Sequence, residues 1–173
     1  MSFSKPRTRQ ALHLALAELL HTTSFERISV QQLAEAASIN RVTFYDHYPD
    51  KFALLEGMVA ARFDELLAGR GLSCDSAIEN MILAVCDFLG DTVCDSQRQL
   101  DLYLQAAVLA VVRQLFVDGM RRHSEIDNVE MVATAMAGAL CAAAREWLRS
   151  PQRGTSADAV PVIARLVAPI FSS

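Results

Sequence analysis

The sequence predicts an all-α fold, on three observations. Apolar residues recur at three- and four-residue intervals rather than alternating, and only seven glycines and five prolines interrupt 173 residues. Ser, Thr, Asn or Asp also stands before several of the periodic stretches, where a helix needs an acceptor for its free N–H groups.

The helices follow in order. The first opens near Ser4, with Pro6 in its first turn, where a missing N–H costs nothing; it carries Leu12, Leu16, Leu19 and Leu20 on one side and stops around His21-Thr22-Thr23. Ser29-Val30-Gln31-Gln32 then fits a capping box, with Ile28 and Leu33 as its hydrophobic staple. This second helix is short, because Val30, Leu33, Ala34 and Ala37 form its buried face and Ser38-Ile39-Asn40 interrupts it. Asn40 caps a third helix that starts at Arg41 and reaches His47 or Tyr48, where Pro49 disfavours helical geometry in the residue before it. Asp50 caps a fourth, with Leu54, Leu55, Met58, Val59, Phe63, Leu66 and Leu67 on its apolar side, ended by Gly69-Arg70-Gly71. Further helices are expected at 76–93, at 97–122 with a break near Leu102, at 127–149 and at 156–171, the last capped by Thr155 or Ser156. The stretch 133–143, ATAMAGALCAA, is dominated by small residues, which suit either tight core packing or a helix-to-helix dimer contact. The expected organisation is a module at 1–50, a connecting helix at about 51–68 and a second module at 69–173.

Composition narrows the function. With 52% apolar and 21% charged residues the chain is globular, and no apolar run approaches the ~20 residues that span a bilayer. The opening MSFSKPRTRQ lacks the apolar stretch of a signal peptide, so the expectation is a soluble, cytoplasmic protein without membrane contact. Cys74, Cys86, Cys94 and Cys141 form no CxxC pair and no Cys/His cluster, which reads as buried, reduced thiols and no metal site. There is no nucleophile–base pair and no phosphate loop, so neither an enzyme nor a cofactor is expected. The net charge of −4 argues against an indiscriminate nucleic-acid binder, but it is unevenly spread. Residues 1–51 hold six Lys/Arg against five acids and the remainder ten against fifteen, so the N-terminal third is better suited to a polyanion.

Two short helices joined by a tight turn, with a third before them, form the layout of a helix-turn-helix DNA-binding unit. The second of the pair begins RVTFYDHYPDK, residues 41–51. A rod of this kind, on the order of 10 Å long, enters a major groove ~12 Å wide. Phe44 anchors it inward. Arg41 has the planar fork for guanine O6 and N7, and Thr43 offers a hydroxyl for a phosphate or a methyl for thymine. Tyr45, His47 and Lys51 carry donors suited to phosphate oxygens, beside the N-terminus of the fourth helix. Arg7 and Arg9 read as either a solvated tail or a minor-groove arm.

Residues 29–54 read S-V-Q-Q-L-A-E-A-A-S-I-N-R-V-T-F-Y-D-H-Y-P-D-K-F-A-L. This resembles the TetR/AcrR family of bacterial transcriptional regulators, whose pattern is T-V-x-x-L-A-x-x-A-G-V-x-x-x-T-(L/F)-Y-x-H-F-x-x-K-x-x-L. The resemblance implies DNA contacts from Gln31, from Arg41, Val42 and Thr43 to bases, and from Tyr45, His47 and Lys51 to phosphates. It implies a helical C-terminal domain that binds a small-molecule effector, and a homodimer formed by the last two helices as a four-helix bundle. Ser38 stands where the family has glycine, in a turn whose left-handed backbone costs other residues roughly 1 kcal/mol. Beyond about residue 68 the resemblance is one of layout and names no ligand. Polar groups within the apolar C-terminal helices, Tyr103, Gln105, Arg113, Gln114, Arg145 and Trp147, are the candidates for touching an effector. The expected function is a homodimeric repressor on a palindromic double-stranded operator, released by an effector. The alternative is a TetR-like co-regulator that works through protein contacts without specific DNA binding.

Overall fold

Local capping and apolar spacing together dictate the first third of the chain. The computed structural model describes residues 5–70, 77–92, 102–123 and 127–167, and every regular element among the described residues is helical. Helix α1 (Lys5–Thr22) buries Thr8, Leu12, Ala15 and Leu16, while Leu19 and Leu20 are half-buried. Ser4, its expected cap, lies outside the described residues. A 3₁₀ turn, Phe25–Arg27, follows with Phe25 fully buried; three residues are too few for any periodicity to mark.

Helix α2 (Val30–Ala36) starts in the expected capping box. The Ser29 N–H donates to Gln32 Oε1 at 2.9 Å and the Gln32 N–H to Ser29 Oγ at 3.2 Å. Ile28 and Leu33 are both buried, as a staple requires. The helix closes in a Schellman arrangement, with the Ile39 N–H on the Ala34 carbonyl at 2.9 Å and the Ser38 N–H on the Glu35 carbonyl at 3.0 Å. Ser38 takes the left-handed position of that motif, at φ 55°. Asn40 then caps α3 (Arg41–Tyr45), its side chain accepting from the Thr43 N–H at 2.7 Å. The helix is shorter than the sequence suggests. The N–H groups of His47 and Tyr48 both turn onto the Phe44 carbonyl at 3.0 Å, tightening the chain before Pro49. Asp50 accepts the Ala53 N–H at 2.8 Å and opens α4 (Lys51–Ala68), which buries Leu54, Leu55, Val59, Phe63 and Leu67.

The chain forms two compact units, one of residues 1–60 with 101–107, the other of 61–100 with 108–173. In the first, α1, α2 and α3 pack together. The second holds the rest of α4, then α5 (Ala77–Thr92), most of α6 (Leu102–His123), α7 (Val129–Arg149) and α8 (Ser156–Val167). There α5, α7 and α8 pack on one another, and Phe63 of α4 stacks on Phe88 of α5 with ring centroids 5.2 Å apart. The small-residue stretch of α7 serves this core, burying Ala133, Met136, Ala137, Leu140 and Cys141, with Ala144 buried just beyond it. At the start of α8 the Thr155 N–H and hydroxyl both donate to Asp158 Oδ2, at 2.7 and 2.8 Å, and these bonds hold the carboxyl below its ordinary pKa.

Cys86 and Cys141 are buried and free, and burial pushes their thiols up to about 12 and about 11, so both stay protonated at neutral pH. Cys74 and Cys94 lie outside the described residues. Leu102–Arg122 is long enough, and holds an 18-residue window apolar enough at mean hydropathy 1.3, to cross a bilayer by length and composition alone. Counting uninterrupted apolar residues hides it, because Arg113 and Arg121 break the run. Both arginines reach Glu130 of α7 in ion pairs, Arg121 at 2.7 Å, and such a composition does not by itself make a membrane protein.

Candidate nucleic-acid interface

Helix α3 is fixed by one buried ring and two capped ends. Phe44 is fully buried, with the rings of Tyr45 and Tyr48 at 5.4 and 6.4 Å. Burying such a ring stabilises by roughly 1.5–3 kcal/mol, enough to seat a five-residue helix that has no stability alone. The opposite face is open. Val42 is 72% exposed and Tyr45 45%, Arg41 is exposed and Thr43 half-buried.

Arg41 and Tyr45 lie four residues apart and support each other. Arg41 Nη2 donates to the Tyr45 hydroxyl at 3.2 Å, and the guanidinium carbon sits 5.6 Å from the ring centroid. That contact uses one of the five guanidinium N–H groups and leaves the rest of the fork for an acceptor. Gln31 Nε2 donates to Glu35 Oε1 at 2.6 Å along the exposed side of α2. His47 is half-buried at the end of the tightened turn.

Lys51 is placed differently. Its ammonium donates to the carbonyls of Phe25, Glu26 and Ile28 at 2.9, 2.9 and 2.8 Å, so all three protons are engaged. The same nitrogen lies 4.8 Å from the Phe25 ring centroid and 5.8 Å from that of Phe52. Lys51 thus ties the first turn of α4 to the 3₁₀ turn, which spacing along the sequence cannot reveal. Tyr103 completes this cluster, its ring centroid 5.4 Å from Phe25 and 5.6 Å from Phe52.

A second feature without a sequence signal joins α1 to the turn that follows α3. His13 Nε2 and the Tyr48 hydroxyl are 2.7 Å apart, 35 residues apart in sequence, and the Arg9 guanidinium lies 5.8 Å from the Tyr48 ring centroid. Arg7 is exposed. The candidates for effector contact divide between the units. Tyr103 and Gln105 belong to the first, Arg113, Gln114, Arg145 and Trp147 to the second. Arg113 pairs with Glu130, Gln114 Nε2 donates to Asp118 at 2.9 Å, and Arg145 Nε donates to the Cys141 carbonyl at 3.2 Å, while Trp147 is half-buried.

Residues 14–58 match the family model of bacterial regulatory proteins, tetR family. The HTH-type transcriptional regulator EthR of Mycolicibacterium smegmatis is 40% identical over 74 residues, 42% of this chain and 32% of that protein. The nucleoid occlusion factor SlmA of Shewanella denitrificans is 26% identical over 81 residues, 46% of this chain and 41% of that protein. The chain thus matches less than half the length of these curated relatives. Across nearly the whole chain, the fold is similar to that of a TetR-family regulator from Streptomyces coelicolor, with a TM-score of 0.64 at 16% identity, covering 97% of this chain and 96% of the other.

Proposed function

The chain belongs, through its helix-turn-helix domain, to the TetR family of bacterial transcriptional regulators, and from that premise we propose that it is a homodimeric repressor of a palindromic operator, released by a small-molecule effector. The observation that carries this reading is the open face of α3, where Arg41, Val42 and Tyr45 stand exposed on a helix seated by Phe44. Arg41, Val42 and Thr43 meet base edges; Gln31, Tyr45 and His47 meet the flanking backbone; Lys51 holds α4 in place beside them. DNA binding is assigned to residues 1–50, and effector binding and dimerisation to 69–173, in the cytoplasm. Dimerisation is supported by α8, whose Val162 and Leu166 are 64% and 61% exposed one turn apart, and by Met131 of α7 at 67%. An effector releases DNA only by binding unequally to two conformers of the protein.

The test is to recover duplexes from a randomised pool with the wild-type protein and measure two variants on them. Arg41→Ala relaxes sequence preference, since a bidentate base contact is worth about 1–3 kcal/mol of discrimination. Tyr45→Phe weakens binding to all duplexes about equally. The same loss of selectivity in both variants would show that the roles of these two residues are misassigned.

A further inference from the structure

Tyr48 presents a hydroxyl, on a buried residue, where the family pattern carries phenylalanine, and that hydroxyl has a built environment. The side chain is almost wholly buried, and its Oη lies 2.7 Å from His13 Nε2 of α1. Below the ring, α4 has a glycine. A Cβ on Gly57 would sit 3.0 Å from Tyr48 Cε1 and 3.1 Å from its hydroxyl, closer than ordinary van der Waals contact. The backbone of Tyr48 in turn closes α3, its N–H on the Phe44 carbonyl at 3.0 Å, and its ring lies 6.4 Å from that of Phe44. Arg9 of α1 approaches the ring face at 5.8 Å. One side chain therefore touches α1, the end of α3 and α4.

We propose that the Tyr48–His13 hydrogen bond, in the seat left by Gly57, is a latch that sets how α3 is presented to DNA. Tyr48 and His13 are positioning residues: neither is on the exposed face with Arg41 and Val42, and both act through the helix that is. The inference rests on the DNA-binding reading above. Physically, α3 has five residues and cannot hold its own direction, so its presentation is fixed by what grips its two ends. Asn40 grips the start and Tyr48 the end. With the hydroxyl bond removed, a smaller fraction of molecules holds α3 in the binding geometry, and the apparent affinity falls by that fraction. A neutral, part-buried hydrogen bond of this kind corresponds to about a three- to tenfold change.

The experiment measures fluorescence polarisation of a labelled duplex, recovered by the wild-type protein from a randomised pool. It uses the full chain well below its unfolding temperature, where a change in global stability leaves the native population and hence Kd untouched. Tyr48→Phe and His13→Ala each weaken binding about three- to tenfold, and the double variant is no weaker than the worse single one. His13→Gln, whose amide reaches the same hydroxyl, restores most of the affinity. Gly57→Ala gives the distinctive result: it favours the α4 helix intrinsically, yet weakens DNA binding by displacing Tyr48. Wild-type affinity in Tyr48→Phe, or losses in the two single variants that multiply in the double, would overturn the latch. A wild-type protein that recovers no duplex defeats the DNA-binding reading itself, and the latch with it.

Discussion

Ser38 holds a left-handed backbone with a side chain that disfavours it. The Schellman bonds around it require that conformation, so the residue is held there by its neighbours. Ser38→Gly removes the Cβ strain at a small cost in unfolded-state entropy and raises stability by about 0.5–1 kcal/mol. A denaturant midpoint that moves up with an unchanged m-value checks this; a midpoint that moves down contradicts it. Lys51 separates two roles at one residue. As a clamp on three carbonyls it makes Lys51→Met destabilising by roughly 1–3 kcal/mol, while the log–log salt slope of DNA binding stays as in wild type. A phosphate ligand at that position would instead lower the slope by about one. The three caps of this domain were legible because each closes over three residues, Ser29 to Gln32, Asn40 to Thr43 and Asp50 to Ala53. The clamp was not, because its acceptors lie 23 to 26 residues upstream and meet Lys51 only in the folded chain.

At the level of elements, the same locality explains what sequence reasoning finds and misses. Helix starts are visible through capping residues, whereas the end of α3 depends on two N–H groups sharing one carbonyl, and the 3₁₀ turn is shorter than any repeat. The open face of α3 was legible for a simple reason: Phe44 is the single residue of the helix that is buried, and the rest had to point elsewhere. A helix so short depends on its cap. Asn40→Ala removes the acceptor for the Thr43 N–H and costs about 1 kcal/mol of stability. It also weakens binding to a recovered duplex, because α3 frays from the end that carries Arg41. Thermal unfolding and polarisation on one sample separate the two effects; full affinity with lowered stability would mean that the start of α3 is held by something other than Asn40.

For the whole molecule, the division into two units falls inside α4, and residues 101–107 group with the first unit, where the Tyr103 ring lies tilted against Phe25 and edge-on to Phe52. That grouping joins three rings from distant parts of the chain, which no local pattern records. The proposed dimer depends on the second unit. Glutamate at both Val162 and Leu166 places charge on the exposed apolar side of α8 and yields monomers by sedimentation, with the helical content retained. Monomers bind a full operator at least tenfold more weakly, since each then engages one half-site without the gain in effective concentration that a second linked half-site supplies. The proposed homodimer on a palindromic operator is tested most directly by the symmetry of the DNA that the wild-type protein selects. Sequencing duplexes recovered from a randomised pool should return an inverted repeat, bound by two chains with an affinity that falls steeply with salt. Duplexes without two-fold symmetry, or binding indifferent to both sequence and salt, would contradict it.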